Sequence, residues 1–428
     1  MLFNLLTDLM SLQRSQWFNR RKLAQIQAKK LASIVEHAYN NISFYREFYR
    51  SVAFNNLLTI ENLPYLTKDM ARKTPLERLV FGGSITERHE VFHTSGSSGQ
   101  PLKVVINDRE AGYSEAVKIR SIIAQGAKLL DEIYIIRPVS AEPEGKVYRL
   151  TEKKRFYGFL RTSKARPLPS SFNIASHVEL MKKRRPQMLI AFPSYLIQLA
   201  DYCKKNDVSL SFKIIRTTGE LLTQQARETI EKSFQARVFD SYGAEEIGNI
   251  AWECPTGEGY HVNAEALYLE VLRDGFPVSS GEEGEVCVTT LYRYSQPFIR
   301  YLLGDIVTLV ADECSCGRGL PLIRKIHGRT VDVIVRKDGL PIFPLTILNT
   351  LHDVEGLDMF RVVQRNDYVV EVLIKPFDGA ERSVEAAVEQ KCRLLFPDTP
   401  FVVKVVDRFD LDKVKFRPVV SHVKTSQS

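Results

Sequence analysis

Hydroxyl groups and glycines are concentrated in one short segment, Thr94-Ser95-Gly96-Ser97-Ser98-Gly99-Gln100-Pro101-Leu102-Lys103. Its first six residues contain four hydroxyls and two glycines, and a lysine closes it. Glycine lets a backbone approach a ligand closely and adopt positive φ, so the amides of such a loop can turn toward an anion. The segment lacks the Gly-Lys-Ser/Thr ending of a Walker loop, so a P-loop helix is not implied. On composition alone, a flexible Ser/Gly surface loop explains the segment equally well.

Short apolar runs alternate with amphipathic stretches through the middle of the chain. The runs lie at 132–136, 187–192, 214–217 and 236–239, and their alternation with helical patterns predicts a parallel sheet with crossover helices. Apolar residues at spacings of three and four in the first fifty residues predict a helical cap. Beyond Glu265, turn signals such as Asp274-Gly275 indicate hairpin strands. The expected fold class is α/β with a β-rich subdomain.

A domain boundary is expected near residue 328. The sequence beyond it contains a strand-like run at 331–335, a Lys337-Asp338-Gly339 turn and further apolar runs at 369–374 and 401–406. A block of about 100 residues can fold as a domain. We expect a large N-terminal domain over residues 1–327 and a small α/β domain over 328–428.

Charge is distributed unevenly along the 428 residues. The chain has 59 Lys and Arg against 51 Asp and Glu, a formal charge of +8. Residues 146–185 contain 12 basic and 2 acidic residues, so the rest of the chain is close to neutral. This pattern excludes a uniformly basic nucleic-acid coat and leaves one basic segment to explain. No apolar run is long enough for a transmembrane helix, and the N-terminus has no basic n-region, so we expect a cytoplasmic protein.

Three of the six cysteines and one histidine form a distinctive spacing pattern. Cys314 and Cys316 are a close pair, and Cys254 lies seven residues before His261. Two close thiolates, a third thiolate and an imidazole suit tetrahedral Zn²⁺, although the Cys-x-Cys spacing is tighter than the common Cys-x₂-Cys. The other three cysteines are most simply buried structural thiols: Cys203, Cys287 and Cys392.

Five segments, in this order, resemble motifs of the adenylate-forming superfamily. They are the loop at 94–103, Thr218-Gly219-Glu220, Asp240-Ser241-Tyr242-Gly243-Ala244-Glu245-Glu246, Tyr301-Leu302-Leu303-Gly304-Asp305 and Gly328-Arg329. Within that superfamily the chain is most similar to the phenylacetate-CoA ligase and CapK-like branch. Further segments carry this likeness: Ala38-Tyr39-Asn40-Asn41 with Phe44-Tyr45-Arg46, Phe192-Pro193-Ser194-Tyr195-Leu196, Gln296-Pro297-Phe298-Ile299-Arg300-Tyr301 and Lys415-Phe416-Arg417-Pro418-Val419. The resemblance implies a large AMP-binding domain, a small mobile C-terminal domain with a catalytic lysine, and a structural Zn²⁺ at the Cys/His group.

The resemblance also implies roles for single residues. Glu246 is expected to hold Mg²⁺, Asp305 to bind the ribose hydroxyls and Lys415 to be the catalytic lysine, with Lys413 as runner-up. Arg300 and Arg329 are expected at the phosphate or ribose edge, with an interdomain salt bridge as the alternative. The remaining ATP-binding residues are the phosphate loop and the adenine contacts: Thr94, Ser95, Gly96, Ser97, Ser98, Gly99 and Lys103, then Gly219, Glu220, Tyr242 and Gly243.

Three positions depart from the superfamily pattern. Glu245 stands where the Tyr-Gly-x-Thr-Glu signature has threonine, and either adds a metal contact or turns outward. Lys415 follows Val414 instead of glycine. The hinge position, usually charged, is Val331. Domain rotation is therefore less firmly predicted than adenylation.

The expected function is ATP-dependent adenylation of a small carboxylic acid, with acyl transfer to CoA as a thioester. The alternatives are a CapK-like ligase with an amine acceptor, an acyl-carrier acceptor, and a degenerate nucleotide-binding protein. The basic segment at 146–185 is expected either to meet an anionic partner on the acceptor side or to be a solvated insertion without a ligand. No specific nucleic acid is expected as a partner, and the acid and the oligomeric state stay open.

Overall fold

The computed structural model describes residues 2–50, 60–94, 101–128, 130–137, 166–169, 174–352, 354–377, 380–407, 409 and 417–423. The chain divides into two compact units. The first comprises Met1–Glu220, Phe234–Leu303 and Val307–Lys325, and the second comprises Leu221–Ser233, Gly304–Ile306 and Ile326–Ser428.

Helices dominate the beginning of the chain and recur between the central strands. Their bounds are α1 Leu2–Ser15, α2 Arg20–Asn41, α3 Ser43–Phe48, α4 Lys68–Lys73, α5 Leu76–Leu79, α6 Asp108–Ala124, α7 Ile174–Arg184, α8 Pro193–Lys205, α9 Gln224–Phe234, α10 Pro344–His352 and α11 Glu381–Leu395.

The strands fall into several sheets. Their bounds are β1 His89–His93, β2 Lys103–Asn107, β3 Ile133–Arg137, β4 Arg166–Pro169, β5 Met188–Ala191, β6 Ile214–Thr218, β7 Arg237–Ala244, β8 Gly248–Glu253, β9 Tyr260–Val262, β10 Leu267–Arg273, β11 Phe276–Pro277, β12 Glu283–Thr290, β13 Tyr301–Val310, β14 Leu322–Arg329, β15 Ile334–Val335, β16 Pro341–Ile342, β17 Leu357–Gln364, β18 Val370–Pro376, β19 Phe401–Val405 and β20 Val419–Ser421.

The largest sheet has twelve strands within the described residues, in the order β11-β10-β12-β13-β14-β9-β8-β7-β6-β5-β3-β4. The strands from β7 to β4 run parallel to their neighbours, whereas β7 and β8, β8 and β9, and β10 and β12 pair antiparallel. Every residue of β5 is buried, as expected for a parallel strand covered on both faces. β1 and β2 form a separate antiparallel hairpin.

Local sequence signals explain several element boundaries. Asn107 begins α6 with a capping box, in which its side chain accepts from the Glu110 amide and Glu110 accepts from the Asn107 amide. Pro193 occupies the first turn of α8, where its missing N–H costs nothing. Asp274 and Gly275, both with positive φ, turn β10 into β11. These signals determine where α6 and α8 begin and where the β10–β11 hairpin turns.

The second unit has its own small sheet, ordered β19-β18-β17-β20. β17 and β18 pair antiparallel, and β19 and β20 pair parallel to their neighbours. Residues of β18 alternate between buried and half-buried, the period expected when one face packs on a core. That core includes Ile347 and Leu351 of α10 and Val384 and Val388 of α11.

The α/β fold class and the helical first fifty residues predicted from the sequence are confirmed. The four central apolar runs are strands β3, β5, β6 and β7 of the parallel region. The prediction of a strand at 331–335 is wrong for residues 331–333. Residues Thr330–Asp332 form a 3₁₀ turn, closed by the Val333 amide donating to the Thr330 carbonyl, and only Ile334–Val335 is a strand. No helix among the described residues combines the length and hydropathy needed to cross a bilayer.

Candidate active site and metal cluster

The predicted phosphate loop connects the two strands of the β1–β2 hairpin. His93 and Lys103 are register partners at the end of the ladder. Thr94 is buried, its amide donates to the Leu102 carbonyl at 3.0 Å, and its hydroxyl accepts from the Leu102 amide at 3.0 Å. The two ends of the loop are thus held together beside Lys103, which is exposed. The residues of the loop between them lie outside the described residues: Ser95, Gly96, Ser97, Ser98 and Gly99.

Glu246 lies in the turn after β7 and is almost fully buried, with 4% of its side chain exposed. Its Oε1 accepts hydrogen bonds from Lys68 Nζ at 3.0 Å and from the Tyr301 hydroxyl at 2.9 Å. Burial alone would raise the pKa of this carboxyl, but the Lys68 ammonium and the hydrogen bonds hold it below its usual value. The carboxylate is therefore ionised at neutral pH, as a ligand for a hard divalent cation must be.

Lys68 is a site residue that the sequence did not reveal. It is the first residue of α4, which Thr67 caps, and it precedes Glu246 by 178 residues. No spacing rule connects the two positions, so only the fold brings the ammonium to the carboxylate.

Tyr242 and Gly243 precede the carboxylate within β7. Tyr242 is buried, and the pairing of β7 with β8 shifts register between Tyr242 and Gly243. A Cβ at position 243 would lie 2.5 Å from the Gly248 carbonyl oxygen, so only glycine fits there. Glu245, the residue at the usual threonine position, is exposed.

The Thr218-Gly219-Glu220 segment, at the end of β6, is fastened to the start of α8. Gly219 has a φ of +78°, and a Cβ there would lie 2.4 Å from the Phe192 ring. The Glu220 carboxylate accepts from the Ser194 amide at 3.0 Å and from the Ser194 hydroxyl at 2.9 Å. The carboxylate thus satisfies an unpaired amide in the first turn of α8.

Arg300 is buried in a network of its own. Its guanidinium donates to both oxygens of Glu270, at 2.7 and 3.2 Å, and to the carbonyls of Glu61 and Leu63 at 2.7 Å. It also donates to the Tyr65 hydroxyl at 3.0 Å and lies over the Tyr65 ring. Its five donor positions are engaged within the protein, which favours a structural role over a phosphate contact.

In the second unit, Asp305 and Arg329 lie beside each other. Arg329 Nε is 3.6 Å from Asp305 Oδ1, and the aspartate side chain is the more buried of the two. Gly328 has a φ of +118°, and a Cβ there would lie 3.0 Å from the Pro344 ring. Both predicted lysines, Lys415 and Lys413, lie outside the described residues.

The four predicted zinc ligands come together in the first unit. The ligand atoms of Cys254, His261, Cys314 and Cys316 all lie within 4.8 Å of one another. Cys254 Sγ is 3.5 Å from Cys314 Sγ, and His261 Nε2 is 3.2 Å from Cys316 Sγ. Burial lowers the pKa of His261 to about 4, so the imidazole is neutral at physiological pH. Three thiols and a neutral imidazole fit the donor set of tetrahedral Zn²⁺.

The basic segment is described only in part. Residues 146–165 and 170–173 lie outside the described residues, and the remainder includes β4 and α7, whose last turn contains Lys182, Lys183 and Arg184. Its expected contact with an anionic partner stays a prediction.

Comparison with known proteins gives both sequence and fold relatives. No protein-family model matches the chain. Phenylacetate-coenzyme A ligase of Thermus thermophilus is 26% identical over 387 residues, 86% of this chain and 82% of the relative. Protein CapK of Staphylococcus aureus is 24% identical over 297 residues, 64% of this chain and 61% of CapK. A solved structure of 2-hydroxyisobutyryl-CoA ligase in its postadenylation state superposes with a TM-score of 0.76 at 20% identity, over 93% of this chain and 88% of that one. The chain has the adenylate-forming fold.

The resemblance predicted from the ordered motifs is therefore confirmed. Within this adenylate-forming fold, β7 presents Tyr242 and leads to Glu246, and the β1–β2 hairpin presents Lys103. The assignment of individual residues to ATP stays a prediction.

Proposed function

We propose that the protein joins a carboxylic acid to AMP at the expense of ATP and transfers the acyl group to CoA as a thioester. The observation that carries the proposal is Glu246, a buried and ionised carboxylate, in a fold shared with CoA ligases and in a sequence similar to phenylacetate-CoA ligases over most of its length. The division into an AMP-binding domain at 1–327 and a C-terminal domain at 328–428 is part of the proposal.

The chemistry requires positive charge and alignment, because both reactants of the first step are anions. A carboxylate oxygen of the acid bonds to the α-phosphorus of ATP, and the bond from that phosphorus to the bridging oxygen breaks, releasing pyrophosphate. The thiolate sulfur of CoA then bonds to the acyl carbon, and the carbon–oxygen bond to AMP breaks. Bound Mg²⁺ would neutralise phosphate charge.

Residues of this chain take the remaining roles. Glu246 would hold Mg²⁺, the loop at 94–99 with Lys103 would bind the β- and γ-phosphates, and Tyr242 would stack on adenine. Asp305 would accept hydrogen bonds from the ribose, with Arg329 beside it, and Lys415 would orient the reacting groups in adenylation.

A second candidate keeps the adenylation step and replaces the thiol with an amine. The observation that favours this acceptor is the similarity to indoleacetate–lysine synthetase of Pseudomonas savastanoi, 26% identical over 139 residues, 31% of this chain and 32% of that relative. In that reaction an amine nitrogen bonds to the acyl carbon, the carbon–oxygen bond to AMP breaks, the nitrogen loses a proton, and the product is an amide.

Pyrophosphate exchange into ATP tests the shared step. Purified protein, Mg²⁺ and radiolabelled pyrophosphate are incubated with a panel of aryl, acyl and amino acids, and we expect exchange with at least one class. Product masses with CoA or amines then separate thioester from amide. ATP binding without exchange for any acid would overturn both candidates and leave a nucleotide-binding protein.

We also propose that the Cys254, His261, Cys314 and Cys316 cluster holds a structural Zn²⁺. The cluster is almost wholly buried and joins the segment after β8, strand β9 and the loop between β13 and β14. A metal there would cross-link these three segments. Elemental analysis should find about one zinc per chain. Cys314→Ser should lose the zinc, whereas Cys203→Ser, a buried thiol outside the cluster, should keep it. Metal-free protein of undiminished stability would contradict the proposal.

A further inference from the structure

Helix α1 has two apolar faces, and among the residues that the structure describes only one of these faces is covered. Leu5 and Leu12 are buried and pack on Ala116, Val117 and Ile119 of α6. An α-helix turns by about 100° per residue, so these two leucines share one side. Phe3, Leu6 and Met10 share the other side and are 75%, 39% and 72% exposed.

The exposed side is a continuous stripe. Phe3 and Met10 lie within about 20° of each other around the helix axis, Leu6 lies about 60° from Phe3, and the buried leucines lie nearly opposite. Single exposed apolar side chains are ordinary on a protein surface, but three in line mark an interaction surface. We call Phe3, Leu6 and Met10 the α1 stripe.

Positive charge lies at the end of the α1 stripe. Arg14 is exposed and falls about 20° from Phe3 around the helix, so it continues the line of Phe3 and Met10. Two further exposed basic residues, Arg21 and Lys22, lie in the first turn of α2 just beyond α1, and Asp8 is the one acidic residue among residues 2–30. Asp8 lies on the inner side of the helix and pairs with Arg109 of α6. Trp17, half exposed just beyond α1, adds an aromatic ring of the kind common at membrane interfaces.

The size and charge of the α1 stripe indicate what kind of partner it binds. A second copy of the chain needs about 800 Å² on each partner, contributed by about 20 residues, and one stripe of three side chains is far smaller. An apolar stripe with a basic end instead matches a helix that lies in the plane of an anionic bilayer surface. We propose that α1 docks the protein on anionic lipid, with the α1 stripe entering the acyl boundary and Arg14 facing the headgroups.

Vesicle sedimentation of the full chain tests this proposal. Protein is mixed with vesicles of phosphatidylcholine alone or of phosphatidylcholine with phosphatidylglycerol, and the bound fraction is measured. We expect binding to the anionic vesicles that salt weakens. Phe3→Ser combined with Met10→Ser should weaken binding by more than about tenfold, because two apolar side chains no longer leave water. Arg14→Glu should weaken binding to the anionic vesicles.

Matched controls separate docking from loss of structure. Phe276→Ser and Leu394→Ser remove apolar side chains of similar exposure, 74% and 76%, outside α1, and should leave binding unchanged. Circular dichroism should show that every variant is folded. Equal vesicle binding by wild type and the Phe3/Met10 variant would overturn the proposal. So would a wild-type dimer in sedimentation analysis that the same variant converts to monomer, because the stripe would then be covered by a second copy.

Discussion

From the ion pair between Lys68 and Glu246 we predict how much a substitution of the lysine lowers the free energy of unfolding. Lys68→Met removes the ammonium that lies 3.0 Å from Glu246 Oε1 and leaves the carboxylate buried, with the Tyr301 hydroxyl still donating to it. A buried carboxylate without its cationic partner destabilises the folded state, since burial favours the neutral acid.

The size of the effect follows from distance and exposure. Two unit charges about 4 Å apart interact by about 1 kcal/mol in water and about 4 kcal/mol at the effective dielectric constant near a protein surface. The Glu246 side chain is 4% exposed but that of Lys68 is 32% exposed, so solvent screens part of the interaction. We expect Lys68→Met to lower the free energy of unfolding by about 1–3 kcal/mol at neutral pH.

The loss should depend on pH in a defined direction. In the wild type the pKa of Glu246 is below its ordinary value of 4.5, so its pairing stabilises the fold above that pH and is lost as the pH falls. In Lys68→Met the hydrogen bonds from the Tyr301 hydroxyl and the backbone remain but the ammonium is gone, so we expect the pKa of Glu246 to be higher than in the wild type. The difference in stability between the two proteins should therefore be largest at neutral pH, begin to shrink as the pH falls through the higher pKa of Glu246 in Lys68→Met, and reach its minimum only below the lowered pKa of the wild type, where both carboxyls are protonated.

Urea unfolding over a pH series measures this difference, and a double-mutant cycle isolates its source. Glu246→Gln on the Lys68→Met background removes the stranded charge, so the double variant should be more stable than Lys68→Met alone. Lys68→Arg, which keeps the cation, should lose less. A coupling free energy below about 0.5 kcal/mol at neutral pH would refute the view that Lys68 compensates the buried carboxylate.

Three further perturbations discriminate roles in the site. Gly219→Ala should raise KM for both the acid and ATP in steady-state kinetics, because the added Cβ would lie 2.4 Å from the Phe192 ring. Gly281→Ala is the control, since Gly281 has a similar positive φ and a Cβ there would have no atom within 4 Å. Arg300→Met should lower the free energy of unfolding by about 3–5 kcal/mol, because Glu270 would stay buried without its ion-pair partner. A variant of undiminished stability with a raised KM for ATP would show instead that Arg300 contacts phosphate. Lys415→Ala should slow pyrophosphate exchange by about 10² to 10³ while thioester formation from supplied acyl-adenylate stays near wild type; equal loss of both would count against a role confined to adenylation.

The sequence predicted the elements whose signals are local. A short contiguous apolar run between helical patterns is typical of a parallel strand buried on both faces, and β5 and β6 follow this pattern. The grouping of the four Cys/His side chains across some sixty residues was predicted from their soft donor types together with the family resemblance, because the spacing alone is tighter than the common zinc pattern. The run at 331–335 shows the limit, because the 3₁₀ turn at Thr330–Asp332 is stabilised by contacts that the apolar pattern does not encode.

The pairing of charges could not be predicted from sequence. Arg300 lies within a family-like segment, and nothing in that segment distinguishes an arginine that binds phosphate from one buried against Glu270, which lies 30 residues earlier. Lys68 and Glu246 present the same difficulty over a longer separation. Motif order identifies which backbone positions lie near a site, but the partners of a charged side chain depend on which strands and helices the whole fold makes neighbours.

The contacts that hold Gly219 and Glu220 against the start of α8 connect recognition of ATP with recognition of the acid in the proposed reaction. If the segment after β6 lies beside adenine, as its motif predicts, the Glu220 carboxylate joins that segment to the Ser194 amide and hydroxyl, and the Phe192 ring closes against Gly219. Neither segment can shift without breaking two hydrogen bonds to a charged group or opening a gap beside the ring. If the Phe192 ring also lines the acid pocket, an acid that displaces it would move the nucleotide segment as well. Recognition of the acid and of ATP would then be coupled, so acids that fit poorly should raise KM for ATP along with their own.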